Sequence, residues 1–464
     1  SLRLQPLEAF YWAVQLIGRL VGLVLLVATL LAVFNFSFGI RRLYIRILLH
    51  LFEQAVEKRR PPSRKESSDN LSRDNRLIQR HAKLTTEGIE LLHADCASSD
   101  DPSKASTSSQ KRPFHLSDLC VFVQSGIESI IEDEVTKRFA AEDLASWNLL
   151  TRTNKYQFIS SRLTCYWVLG CFLRYCILFP FRMLLALTAV LYLVIGSLII
   201  ALLPWPGLRR YLNSILTPTA FRLFARAFSA VLRFHDVENM PQNNGICVAN
   251  HTSPIDVVVL GCRQVFSIVG QSHGGFTGFM QKTLHRTSPH IWFERSESSD
   301  ASVVKRKLEE HVSTPGLPPV LIFPEGTCIN NTSVMMFRKG GFEAGGVVYP
   351  VAIKYDPRFA DCFWNSSACG MVTYLFMMMT SWAIVADVWY LPPQIQQEGE
   401  SSVAFANRVK RQIAGRGGLV DLQWDGNLKR SKPKSSLQEQ HREAFRKRIY
   451  GLSVTDQMEG SGAG

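Results

Sequence analysis

Long apolar stretches alternate along this chain with polar ones of several textures. Residues 20–36 are almost wholly apolar and are followed by Arg41, Arg42 and Arg46. A run of roughly 20 apolar residues crosses a bilayer core, and the basic cluster beyond it predicts a cytosolic C-terminal flank. A span at about residues 20–38 is therefore expected within an N-terminal membrane segment, 1–56. A cleaved signal peptide is the alternative, although no clear small-residue cleavage site is present. Two further apolar runs, 163–179 and 183–203, are joined by Pro180-Phe181-Arg182 and have basic residues at both outer ends. They predict a membrane hairpin, 163–203, that either crosses or re-enters the bilayer, with Arg174 snorkelling or facing protein.

Between these runs, residues 57–113 are rich in Ser, Asp, Lys and Arg and poor in aromatics. They cannot bury enough apolar area to offset ordering entropy, which predicts a disordered linker. Residues 114–162 carry helical periodicity with acidic groups early and Lys137-Arg138 late, as in an amphipathic helical region. From 204 to 430 the pattern changes. Short β-like runs (245–249, 320–323, 348–355) alternate with amphipathic helices (301–312, 403–414), which predicts an α/β domain with a mostly buried central sheet flanked by helices. Residues 431–464 read as a polar tail.

A formal charge of +13 favours anionic partners: a membrane surface, nucleic acid or a phosphorylated substrate. No basic tract is interleaved with aromatics and no zinc-finger spacing is present, which argues against nucleic acid. The apolar runs favour lipid. Ten cysteines lie scattered without C-x-x-C pairs, so reduced and mostly buried thiols are expected, and no metal. N-x-[ST] triplets include those at Asn250, Asn330, Asn331 and Asn365. Asn250 and Asn330 sit inside the strongest chemical motifs, so the triplets read as fortuitous and the domain as cytosolic.

The first of those motifs is His251-Thr252-Ser253-Pro254-Ile255-Asp256, directly after an apolar run. An imidazole near neutrality can take a proton from an alcohol, and a carboxylate can fix its tautomer. The same letters also make a helix start, with Ser253 as N-cap, Pro254 at N1 and Asp256 at N3; the two readings are compatible. The second motif is Phe323-Pro324-Glu325-Gly326-Thr327-Cys328, either a plain turn or a close backbone approach to a ligand. The third, Phe293-Glu294-Arg295, offers a cation suited to phosphate or an ordinary surface arginine. Tyr349-Pro350-Val351-Ala352 reads as a strand entered through proline. Lys282 and Arg286 fall on a basic helical stretch.

Together, in this order, the four elements resemble the glycerolipid acyltransferase superfamily, and most closely its endoplasmic-reticulum glycerol-3-phosphate acyltransferases. The likeness runs from about residue 114 to 430. It implies that His251 is the general base on the sn-1 hydroxyl of glycerol 3-phosphate and that Asp256 orients it. A fatty acyl-CoA would be the donor, and lysophosphatidic acid and CoA the products. Arg295 and the Glu325-Gly326-Thr327 turn would hold the acceptor phosphate, with Phe293 and Pro324 in the same blocks. Glu325, itself an anion, is assigned to the glycerol hydroxyls or to orienting Arg295. The superfamily often has Arg where Cys328 stands, which shifts phosphate binding toward Arg295, Lys282 or Lys339. Acyl-CoA is a substrate, so no cofactor is expected. The implied setting is the endoplasmic reticulum membrane, facing the cytosol, or a lipid-droplet surface. One rival keeps the chemistry but takes a lysophospholipid acceptor. Another, a silent membrane scaffold, predicts a broken His–Asp pair, whereas both residues are present.

Overall fold

The computed structural model describes residues 5–57, 136–141, 161–272, 274–293 and 301–429, with four isolated positions near the C-terminus. The chain divides into two units, 1–55 with 134–464, and 56–133. The expected linker, most of the expected amphipathic region and nearly all of the 431–464 tail lie outside the described residues. Of the amphipathic region, Thr136–Phe139 is a 3-10 turn.

Seven strands form the main sheet: β1 (Val231–His235), β2 (Ile246–Ala249), β3 (Ser267–Gln271), β4 (Ile291–Phe293), β5 (Val320–Ile322), β7 (Val348–Tyr355) and β8 (Val385–Tyr390). Their order is β1-β8-β7-β2-β5-β3-β4. β7, β2, β5, β3 and β4 are mutually parallel, while β8 runs antiparallel to β7. A small second sheet joins β6 (Ser333–Val334) to β9 (Val420–Asp421). β2 is apolar at every position because both of its faces are covered. Cys247 and Ala249 belong to the core on one side, Ile246 and Val248 to the core on the other. This is the expected α/β architecture. The predicted helices at 301–312 and 403–414 appear as α8 (Ala301–Ser313) and, after α9 (Met371–Thr380), α10 (Ser402–Gly417). Ser401 caps the latter by accepting from the Ala404 N–H, and Gly418 ends it in the left-handed region at φ 59°.

Two expectations for the apolar runs need correction. The first concerns α1 (Gln5–Val33), whose stretch long and apolar enough to cross a membrane is Phe10–Val33 rather than 20–38. Isolated Gln15 and Arg19 do not stop a helix, whereas Asn35 at φ 52° does. The second concerns the predicted hairpin, which is one continuous helical rod: α3 (Ser161–Phe172), a π-helical turn (Leu173–Leu178) and α4 (Phe179–Ala201). Pro180 does not reverse the chain. It sits in the first turn of α4, and the wider π turn before it accommodates the ring that would otherwise clash with the preceding turn. Nor does Arg182 mark a solvated tip. It is 1% exposed and donates to the carbonyls of Met379, Ser381 and Trp382 at 2.6–2.7 Å. Arg174 likewise faces protein, reaching the Thr380 carbonyl at 3.2 Å.

The apolar stretch Thr164–Ala201 has 38 residues. At 1.5 Å per residue that is about 57 Å, more than the ~30 Å hydrocarbon core needs. One face of α4 (Leu185, Ala189, Leu193, Ser197, Ile200) is buried, mainly against α5 (Pro206–Ala227); the opposite face exposes Leu187, Leu191, Ile195 and Leu198. α2 (Ile40–Glu57) follows the same logic. It buries Ile45, Leu48 and Phe52 beside Phe359 and Trp382, and exposes Ile40, Leu43, Ile47 and Leu51.

Candidate active site

The ends of three parallel strands build the site. His251 follows β2, Phe323 follows β5, and Tyr355 ends β7. The outer edge at the C-terminal ends of parallel strands is where α/β sheets leave a crevice for ligands. Asn250 fixes the end of β2 to β7: its side chain donates to the Ile353 carbonyl at 2.9 Å and accepts from the Ile353 N–H at 2.8 Å. Asn331 does the same with Tyr355. Asn250, Asn330 and Asn331 are all buried, so these glycosylation-like triplets serve internal packing.

Asp256, in the first turn of α6 (Ile255–Gly261), is 0% exposed. Its Oδ2 accepts from the backbone N–H groups of Thr252 and Ser253 at 2.8 and 2.9 Å. This is the reach-back half of a capping box. The Tyr355 hydroxyl donates to Oδ1 at 2.5 Å. Burial and the adjacent carboxylate hold the Tyr355 phenol well above its usual range, so it remains a donor. Oδ2 also lies 2.9 Å from His251 Nδ1. Since Oδ2 only accepts, Nδ1–H must donate, which leaves Nε2 as the acceptor. The cap and the catalytic couple are thus one object.

The imidazole stacks on Phe323, with ring centroids 4.2 Å apart. Burial pulls its pKa down, but the nearby Cys328 side chain and the Asp256 carboxylate pull harder, and the result lies well above the ordinary imidazole value. A base of this kind, still 18% exposed, can take a proton from an alcohol that approaches Nε2.

Glu325 departs from its expected place at the substrate. It is 1% exposed, and its two oxygens accept from the His251 N–H at 2.9 Å and the Met335 N–H at 3.0 Å. Burial pushes the carboxyl up to about 7 against the pull of these donors. Its geometry is that of a brace between the ends of β2 and β5. Pro324 is buried, and its carbonyl accepts from the Arg338 N–H at 3.0 Å. Gly326 has φ 67°, and a Cβ there would lie 2.8 Å from the Arg338 guanidinium carbon. The left-handed φ favours glycine, and a Cβ would also push the Arg338 guanidinium aside. Gly326 is exposed and Thr327 half-buried. Phe293 ends β4, and its carbonyl accepts from the Ser272 N–H. Arg295 lies outside the described residues. Lys282 is exposed on α7 (Gly275–His285), and Lys339 is paired with Glu343 at 2.8 Å.

Three neighbours escaped sequence reading. Tyr355 stands 99 positions from the carboxylate it bonds, and no local signal links the two. Cys328 stood out only as a missing arginine, yet its buried side chain is among the groups that raise the imidazole pKa. Arg338, beside the noted Lys339, is the cation that covers the glycine turn.

Residues 231–354 match the family described as Acyltransferase. A "glycerol-3-phosphate acyltransferase 3-like" protein of Danio rerio is 47% identical over 96% of this chain and 99% of its own length. The human protein named glycerol-3-phosphate acyltransferase 4 is 49% identical over 90% of this chain and 91% of its own. Among solved structures, the 1-acyl-sn-glycerophosphate acyltransferase of Thermotoga maritima aligns with 55% of this chain and 98% of its own at 16% identity, with a TM-score of 0.38. On the strength of those full-length relatives, the chain belongs to the glycerol-3-phosphate acyltransferase 3 and 4 family.

Proposed function

We propose that this protein transfers a fatty acyl group from acyl-CoA to the sn-1 hydroxyl of glycerol 3-phosphate, yielding lysophosphatidic acid and CoA. The observation that carries the reading is the His251–Asp256 couple, tautomer fixed, at the C-terminal edge of the sheet in a member of this family. His251 Nε2 accepts the hydroxyl proton as that oxygen attacks the thioester carbonyl. The tetrahedral adduct then expels the CoA thiolate, which takes the proton back from the imidazolium. A thioester is already activated, so positioning and a base supply most of what the step needs. Acyl-CoA enters as a substrate rather than as a resident cofactor.

His251 is the catalytic residue; Asp256, Tyr355 and Glu325 are positioning residues. Arg338 above the Gly326-Thr327 turn supports a phosphate site there, to which Arg295, Lys282 and Lys339 are further candidates. Two helices long and apolar enough to cross a membrane support a membrane enzyme, and we assign it to the endoplasmic reticulum with the catalytic domain in the cytosol. The test is to supply purified protein with labelled oleoyl-CoA and, separately, glycerol 3-phosphate, lysophosphatidic acid and lysophosphatidylcholine. Labelled lysophosphatidic acid from the first acceptor is expected. Turnover of a lysophospholipid with none of glycerol 3-phosphate would overturn the acceptor.

A further inference from the structure

Beyond the C-terminal end of α6, away from the His251 site, lies a cavity of about 460 Å³ between the α1–α2 loop, α5 and β1. Six arginines line it: Arg41, Arg42, Arg222, Arg226, Arg233 and Arg263. No carboxylate among the described residues lines it. Among the described residues Arg233 alone of the six has a carboxylate partner, Asp387, at 2.6 and 2.8 Å. Arg41 bonds the Ala230 carbonyl at 2.6 Å. Arg222 reaches the carbonyls of Cys262 and Ala32, and Arg226 those of Leu31 and Phe36. Among the described residues the exposed Arg42 has neither kind of partner, nor has Arg263, whose guanidinium lies over the Phe234 ring and whose Nε is buried without a hydrogen bond.

Neutral carbonyls satisfy hydrogen bonding but leave charge in place. The C-terminal dipoles of α1, α5 and α6 each offer at most about half a negative charge, which together fall short of five guanidinium groups without a carboxylate. Burial, then repulsion from Arg41 and Arg222, lowers the Arg226 pKa to about 10. Held together at this density, the cluster is complementary to an anion, and the planar guanidinium forks suit phosphate.

The surroundings identify the source of that phosphate. The cavity opens where the apolar stretch Phe10–Val33 ends, which is headgroup depth if α1 crosses the membrane. Beside it, Phe34, Phe36 and Phe38 are 76%, 52% and 67% exposed, and α2 continues with the exposed stripe Ile40, Leu43, Ile47 and Leu51. A soluble phosphate gains nothing from such a rim; acyl chains do. We propose that this cavity binds the phosphate of an anionic glycerophospholipid whose chains lie along the exposed apolar faces of α1 and α2. The assignment rests on the membrane reading of α1, and not on the acyl-transfer chemistry.

Detergent-purified full-length protein is incubated with dioleoyl phosphatidylglycerol or dioleoyl phosphatidylcholine, and retained lipid is counted by native mass spectrometry. Phosphatidylglycerol is neither substrate nor product of the proposed reaction. Retention of it in preference to phosphatidylcholine is expected. In the Arg42→Gln/Arg263→Gln variant, which removes no backbone hydrogen bond, affinity should fall about tenfold while the thermal midpoint is kept. Equal retention by variant and parent would overturn the site. Displacement of the lipid by millimolar inorganic phosphate, or by adenosine 3′,5′-bisphosphate as the head of CoA, would keep an anion site and overturn its lipid assignment. A protein that stays soluble without detergent would instead overturn the membrane reading beneath it.

Discussion

The two ends of α6 treat charge in opposite ways. At its N-terminal end Asp256 and nearby Glu325 are sealed from water, and all four of their carboxylate oxygens accept hydrogen bonds from named donors. At its C-terminal end, about 9 Å along the axis by residue count, Cys262 lines a cavity of arginines with no carboxylate among the lining groups. Buried polar groups cost least when hydrogen-bonded, and buried charges when paired. The first end therefore has the character of a finished device that holds one imidazole in one pose. The second has the character of a receptor whose counter-charge arrives with a ligand.

Substitutions at the first end break that picture in graded steps. His251→Ala removes the base itself and should lower turnover by about a hundredfold or more, with the thermal midpoint little changed; retained turnover would contradict the role. Glu325→Ala orphans two buried backbone donors at a cost of about 1–3 kcal/mol each. Chemical denaturation should register this, and Glu325→Gln should recover part of it by keeping one acceptor. Arg338→Ala should raise KM for glycerol 3-phosphate about tenfold with a smaller change in kcat; a fall confined to kcat would remove it from acceptor binding. The mildest change is Tyr355→Phe, which deletes one hydrogen bond to a carboxylate still held by three others. A loss of about 1 kcal/mol is expected, divided between stability and activity.

What could be read in advance followed from how local each signal is. β2 and β7 are strands buried on both faces, so their letters alone are nearly uniform in hydrophobicity. The His–Asp couple was legible because four residues separate its members and the same turn caps a helix. Glu325 was misplaced because an exposed turn and a buried brace share the letters Pro-Glu-Gly; only the burial of Met335 and His251 N–H groups distinguishes them. The hairpin was misread for a related reason. Pro180 and Arg182 are turn signals in water, but a π turn absorbs the first, and the Met379–Trp382 carbonyls absorb the second. Tyr355 and the arginine cavity depend on residues about a hundred or more positions apart, which no periodicity encodes.

The central claim is that Asp256 poises His251 as the base, and the acid limb of the kcat/KM profile tests it most directly. A base acts only when deprotonated, and here the neighbours raise the imidazole pKa. Rate should therefore climb with pH through a value above the ordinary imidazole range, and be lost below it. Replacing Asp256 by Asn removes the carboxylate that favours the imidazolium, so the limb should move to lower pH while the plateau falls. A limb at the same pH in both proteins would contradict the account.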